Sequence, residues 1–255
     1  SKTKKLLQRI KVRFAGYTHE VMRDTKLVTD ASLNNGGFEI VSPPLSGDAN
    51  QRSWLARISS ALRGVAGVDP STSAHIHVGL KDYETGEWLV KVEGQSDYDV
   101  AKAICGNTAY AYGYFQDVLN KLVSSSRRDG RWSRDVRYLP KLYQDVDEIT
   151  LNSRSWDDDE EMYIFSESQT TDSVRIGLKL FEHLEDGGGR NDPRYQCVNP
   201  LSLAKYGTIE FRSHQGTTNA AKLQNWIDIV YLLTSRCASE SWTDITQYHG
   251  SSYND

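Results

Sequence analysis

Residues 206–216, "YGTIEFRSHQG", decide how the rest of the sequence is read. Thr208 to Ser213 has the alternation of a β-strand, with Ile209 and Phe211 on one face and Glu210 and Arg212 on the other. An acid and a guanidinium opposite an apolar face admit two readings. Bathed in water they form a surface ion pair, worth at most about 1 kcal/mol. Facing a concavity, they line a site.

Two more stretches share that polarity. In "GFEIVSP" (37–43), Phe38 and Ile40 fall on one face and Glu39 and Val41 on the other. In "AHIHVGL" (74–80), Ile76 and Val78 oppose His75 and His77. Singly, each polar set reads as a solvated strand face. If all three strands lie in one sheet, their polar faces converge and their apolar faces pack against helices.

Those helices are legible. Trp54, Leu55, Ile58 and Leu62 share one helical face between Asn50 and Arg63, and Gly64 suits the helix end. A longer helix is expected from about Asp97 to Leu122, with Val100, Ile104, Phe115, Val118 and Leu122 inward. Asn219 is placed to cap a third, whose inward residues are Leu223, Trp226, Ile227, Val230 and Leu233. The turn "YETGEW" (83–88) predicts a hairpin returning from "AHIHVGL". Residues 124–162 are polar and punctuated and read as loops with short helices. "DSVRIGLKLFEHL" (172–184) suits a strand or a helix, and the tail from about Ser239 is polar. Strands and helices are interspersed without regular βαβ alternation. The expected class is α+β with a largely antiparallel sheet.

The chain has 255 residues, enough for a substantial core, and is read as one domain, 1–255. A net charge of −4 argues against a general nucleic-acid binder, although "RRDGRWSRDVR" (127–137) is a basic run able to attract an acidic partner. Three cysteines, widely spaced and odd in number, point to a reduced, cytoplasmic setting. No apolar run is long enough to span a membrane. The 14 tyrosines include Tyr110, Tyr112 and Tyr114 in "AYAYGYF", whose helical flanks favour packing over base stacking.

Residue types limit the chemistry of the shared polar face. Carboxylates with one imidazole suit Mg²⁺ or Mn²⁺, and two histidines also admit zinc. A neighbouring arginine suits phosphate or carboxylate oxygens. Together they suggest phosphoryl transfer, in which positioning and charge neutralisation supply most of the catalysis. A Walker-type loop is absent, and "DGGGRND" (186–192) lacks the lysine that such a loop needs.

"DASLNNGGFEIVSPPLSG" (30–47), "SAHIHVGL" (73–80), "SRR" (126–128), "RYQCVNPLSLAKYGTIEFRSHQGT" (194–217) and "NWI" (225–227) resemble the amidoligase family, grouped with the glutamine synthetase-like carboxylate–amine ligases. The resemblance runs in order from about Gly16 to Trp242 and covers 124–190 only loosely. It implies an ATP-dependent ligase that phosphorylates a carboxylate and lets an amine displace the phosphate, giving an amide. It further implies a glutamine synthetase-like curved sheet holding Mg²⁺ or Mn²⁺ on its concave face. By the resemblance, Glu39, His75 and Glu210 look like metal ligands, and Arg212 looks like the arginine that contacts transferred phosphate beside Glu210. His77, Arg194, Asn199, Asp30 and Ser42 fall in matching blocks as ATP- or substrate-binding residues.

Family members open with a strand of the form Phe-Gly-x-Glu-x-Glu, which this sequence lacks. "FAGYTHEV" (14–21) aligns better with a later segment carrying a histidine, here His19. Either that first acidic strand was lost from this chain, which a start at Ser1 permits, or the protein does without it. The expected partners are ATP, a carboxylate and an amine on a small molecule, peptide or macromolecule, with no membrane or nucleic acid. Glutamine synthetase relatives often assemble, so the resemblance admits a homo-oligomer. Two alternatives stay open: a non-catalytic module binding a peptide, nucleotide or protein in the same concavity, and a zinc-dependent hydrolase built on His75, His77 and Glu39.

Overall fold

The computed structural model describes residues 25–30, 33–34, 37–45, 48–64, 66–82, 85–89, 100, 102–128, 133, 135–136, 155–157, 162–164, 195–200 and 202–239. They form short antiparallel sheets and helices, an α+β arrangement. None of the described helices is long and apolar enough to cross a membrane. The chain falls into two compact units. One takes in the residues up to Ala74 together with Gln215–Asp228, the other His75–His214 together with the residues from Ile229.

In the first unit, β1 (Lys26–Thr29) pairs antiparallel with β2 (Phe38–Val41), Val28 opposite Glu39. The predicted alternation of β2 is present: Phe38 and Ile40 are half-buried, Glu39 and Val41 exposed. Helix α1 (Asp48–Leu62) buries Trp54, Leu55, Ile58, Ala61 and Leu62, and Leu27, Phe38 and Ile40 pack against that cluster. Trp54 Nε1 donates to Thr25 Oγ1 at 3.0 Å, so the largest core side chain also has its polar atom satisfied. Gly64, at φ 70°, supplies the left-handed residue just beyond the helix.

The second unit is built on a three-stranded sheet in the order β3 (Ser73–Gly79), β7 (Thr208–Gln215), β6 (Val198–Asn199). Strand β6 runs antiparallel to β7, with Val198 opposite Phe211 and Asn199 opposite Glu210. The end of β3 meets the start of β7, where Leu80 and Lys81 N–H both donate to Gly207 O (2.9 and 3.2 Å), so this pair is antiparallel too. Gly207 has φ 64° and joins the short helix α3 (Ser202–Tyr206) to β7. Its positive φ favours glycine, and a side chain there would approach the Lys81 Cβ to 3.1 Å, a tight contact that Lys81 would have to relieve by a few tenths of an ångström.

Helix α2 (Asn107–Leu122) follows a π-helical turn, Lys102–Gly106, and supplies much of the core of this unit. Tyr110 and Tyr112 are buried, and the Tyr112 hydroxyl donates to Ser213 Oγ at 2.7 Å beside the Phe211 ring. Gln116, also buried, accepts from the Val136 N–H at 2.9 Å. The inward face of α2 differs from the predicted one. Val100 and Ile104 are buried as expected, but Val118 and Leu122 are exposed and Leu119 is inside. The π turn explains the slip. It adds a residue to the turn and rotates the positions downstream of it off the regular period of 3.6.

The last helix, α4 (Ala220–Ser239), is capped as predicted: Asn219 Oδ1 accepts from the Lys222 N–H at 3.0 Å. Its Trp226 and Val230 are buried. Its Ala220, Leu223 and Ile227 pack on the α1 cluster of the first unit, and in the second unit Asn107 Nδ2 donates to Cys237 O at 3.3 Å.

Two expectations need correcting. Among the described residues, Glu39 lies in a two-stranded sheet of β1 and β2, separate from the three-stranded sheet that carries His75 and Glu210. Residues 155–164 are not all loop: β4 (Ser155–Asp157) pairs antiparallel with β5 (Met162–Ile164). The hairpin after β3 begins as predicted, with Leu89 N–H donating to Leu80 O at 3.0 Å, but its strand beyond Leu89 lies outside the described residues. So do Arg194, residues 172–184 and the tail from Glu240.

Candidate functional site

Glu210 is the centre of the polar face. Alternation on β7 sends Ile209 and Phe211 into the core, both 0% exposed, and Glu210 to the opposite face. Yet Glu210 is itself only 5% exposed, which rules out a solvated strand residue. A carboxylate so far from water needs partners. Asn199, its register partner on β6, donates from Nδ2 to Oε2 at 2.7 Å. Arg212 donates from one terminal nitrogen to Oε1 at 2.6 Å. These charge-assisted distances mark strong bonds.

Strand β3 adds the imidazoles. His75 Nδ1 lies 3.3 Å from Glu210 Oε1, and His77 Nε2 lies 3.9 Å from the same oxygen. The other ring nitrogen of His77 is 2.8 Å from Thr208 Oγ1, and the Tyr206 ring meets the imidazole edge-on at 5.7 Å. Burial holds His75 well below its ordinary range, at about 4, and the Arg212 charge pushes the same way while Glu210 opposes both. Burial lowers His77 as well, although its side chain is 39% exposed and solvent screens much of that effect. Both imidazoles are therefore neutral at pH 7.

A second guanidinium lies within electrostatic reach of this face. Arg127, on the 3₁₀ turn Ser125–Arg127, is 5% exposed. Burial and the Arg212 charge both weaken its hold on its proton, and its charge in turn lowers His75. The Arg212 guanidinium also lies 5.7 Å from the centre of the Tyr195 ring, in reach of a cation–π contact. Among the described residues, the face therefore combines two guanidinium charges, one carboxylate and two neutral imidazoles. Its balance is positive, and it suits an oxyanion.

Residues placed together from sequence thus include His75, His77, Asn199, Glu210 and Arg212. Glu39, Asp30 and Ser42 belong to the other unit. Asp30 sits at the β1 end of its hairpin, where its N–H donates to Gly37 O at 3.4 Å, and Ser42 is half-buried just after β2. Sequence reading left Arg127 out of the site. Its signal was "SRR", a family-like block sitting in an otherwise polar loop. His214, next on the polar side of β7, is buried at 2% exposure. Cys105, Cys197 and Cys237 are free and buried, and burial pushes the Cys105 thiol up to about 12, which leaves it unreactive.

A family model described as "Putative amidoligase enzyme" matches residues 94–233, just over half of the chain. The chain belongs to the amidoligase family. The matched span of this amidoligase includes Arg127, Asn199, Glu210 and Arg212; Glu39, His75 and His77 precede it. Neither a curated protein nor a solved structure matches the chain.

The family reading implies a divalent metal, so the donor set is worth testing for one. Among the described residues, no group of three or more His, Cys, Asp or Glu side chains is arranged to hold a metal ion. The one carboxylate on the face already has an oxygen bonded to Arg212 and the other to Asn199. Hard cations of this kind take oxygen donors, commonly one or two carboxylates with an oxygen free to ligate, together with water or substrate phosphate. Among the described residues, one carboxylate with both oxygens engaged beside a guanidinium does not fit a resident Mg²⁺ or Mn²⁺.

Proposed function

We propose that the chain is an ATP-dependent carboxylate–amine ligase, forming an amide through an acyl phosphate. The observation that carries this reading is the buried Glu210–Arg212 pair with Arg127 nearby, set on the late strand of an amidoligase. ATP supplies the phosphoryl group, and Mg²⁺ or Mn²⁺ enters with it as the metal–nucleotide substrate. Arg212 holds the oxygens that gain charge as the phosphoryl group reaches the carboxylate, and Arg127 adds a second positive charge. Glu210 keeps the Arg212 fork in place, and Asn199 keeps Glu210 in place. Neutral His77, the more exposed of the two imidazoles, is the better placed to receive the proton that the amine loses when it attacks, since His75 is held too acidic to be a good base.

A second reading is a non-catalytic amidoligase-like module that holds an anionic peptide or nucleotide on this face. It is favoured by the lack, among the described residues, of any cluster of His, Cys, Asp or Glu arranged to hold a metal ion.

Turnover separates the two. Protein incubated with ATP, Mg²⁺ and pools of carboxylates and amines should release ADP and phosphate in an amine-dependent way. ATP consumption that no amine accelerates, across pools of both substrates, would leave the binding module as the better account.

A further inference from the structure

The central carboxylate is engaged in a way that suits a different role from the metal ligand that the family resemblance implies. Its bond to Asn199 is fixed by strand pairing, because Asn199 and Glu210 are direct register partners across β6 and β7. Its other oxygen faces three nitrogens: Arg212 at 2.6 Å, His75 at 3.3 Å and His77 at 3.9 Å. A divalent cation at that oxygen would stand against the guanidinium, charge against like charge in a poorly hydrated setting. An anion would not. A guanidinium carries five N–H donors in a planar fork, so a short bond to Glu210 orients the whole plane.

We infer that Glu210 is a positioning residue, orienting the Arg212 fork towards a phosphate or carboxylate oxyanion, and does not ligate a resident metal. The carboxylate acts through Arg212. It holds the fork from one side while the Tyr195 ring lies within 5.7 Å of the same guanidinium. The inference rests on the ligase reading only in taking this face as the one that handles substrate oxyanions. Its test is a set of binding equilibria, so its failure is distinct from an absence of turnover.

The probes are Mn²⁺ alone, inorganic phosphate alone and glutarate alone, each titrated calorimetrically. Phosphate and glutarate distinguish a phosphoryl-binding from a carboxylate-binding fork. Glu210→Gln removes the metal-ligating charge, and Mn²⁺ affinity is expected to change by less than fivefold; absence of Mn²⁺ binding to the unaltered protein counts the same way. Glu210→Asp keeps the charge but draws it back by one methylene, and the affinity for the bound oxyanion is expected to fall fivefold or more. Asn199→Ala leaves the carboxylate and frees it to move. It is expected to weaken the oxyanion and leave Mn²⁺ unchanged, and it stands in should either Glu210 variant fail to fold. A fivefold or greater loss of Mn²⁺ affinity in Glu210→Gln overturns the inference. So does an oxyanion affinity that Glu210→Asp and Asn199→Ala leave within fivefold, or the failure of both oxyanions to bind the unaltered protein.

Discussion

Strands β2 and β7 are written in the same alternation, yet their glutamates end in opposite environments. Glu39 is exposed on a two-stranded hairpin, while Glu210 is 5% exposed within a three-stranded sheet. Phe38 and Ile40 are half-buried where Ile209 and Phe211 reach 0%. The difference lies in the neighbours. β7 is the central strand of its sheet, so β3 and β6 bring His75, His77 and Asn199 up on either side of Glu210. β2 has a hydrogen-bonded neighbour on one side, β1, with Val28 opposite Glu39. An alternating strand becomes a site when its flanking strands are polar on the same face.

That contrast can be broken, most severely at Glu210. Glu210→Ala leaves the largely buried Arg212 guanidinium without its carboxylate, and should lower folding stability by about 3–5 kcal/mol in urea denaturation. Replacing both partners together, Glu210→Met with Arg212→Met, should recover most of that loss, because no buried charge is then stranded. A double variant as unstable as the single one would show that the pair itself holds the sheet.

Arg212→Lys keeps the charge and loses the fork. Amine-dependent turnover should fall about 10²–10³-fold with the thermal midpoint little changed, the size expected for removing one donor to a developing oxyanion. Turnover within a few-fold of the original would reduce Arg212 to a counter-charge.

Acid should next expose His75. Its value in the folded chain, about 4, lies below the ordinary 6.5, so the unfolded chain takes up the proton first as pH falls. The stability it contributes is complete above pH 6.5 and is lost between 6.5 and 4, amounting to about 3 kcal/mol at most. Urea midpoints at several pH values should show this slope, and His75→Asn should flatten it. An unchanged slope in the variant would assign the acid sensitivity to other groups.

The smallest effect belongs to Glu39. Glu39→Gln should move stability by no more than about 0.5 kcal/mol, as for other exposed positions. Turnover of the same variant sharpens the comparison: a large loss with stability intact would join the β1–β2 hairpin to the catalytic face after all.

Much of this was legible in the sequence, for a physical reason. Side-chain alternation and helical period are local, so the polarity of β2, β3 and β7, the buried face of α1 and the Asn219 cap could all be read from residue order. Strand pairing is not local. Nothing in "GFEIVSP" says that its neighbour is Lys26–Thr29 rather than β3, and the expected single sheet failed on that point. Val118 and Leu122 were misplaced because a period of 3.6 was carried straight through Lys102–Gly106, where the helix is π. Arg127 was missed because a basic loop looks alike whether it is solvated or buried. Its 5% exposure comes from the tertiary fold.

Gly207 gives the arrangement its parity. A strand has only two phases, and sliding β7 by one residue would send Ile209 and Phe211 to the polar side and bury Glu210 and Arg212 in the core. Gly207 carries one carbonyl that two successive N–H groups of the Leu80–Lys81 corner claim, and its own N–H is tied to Leu203 O at 3.0 Å. With its carbonyl and N–H both bonded and its backbone in the left-handed region, Gly207 fixes the count from which β7 starts. Three residues later that count falls on Glu210. A glycine that touches no substrate thereby chooses which half of the strand does chemistry.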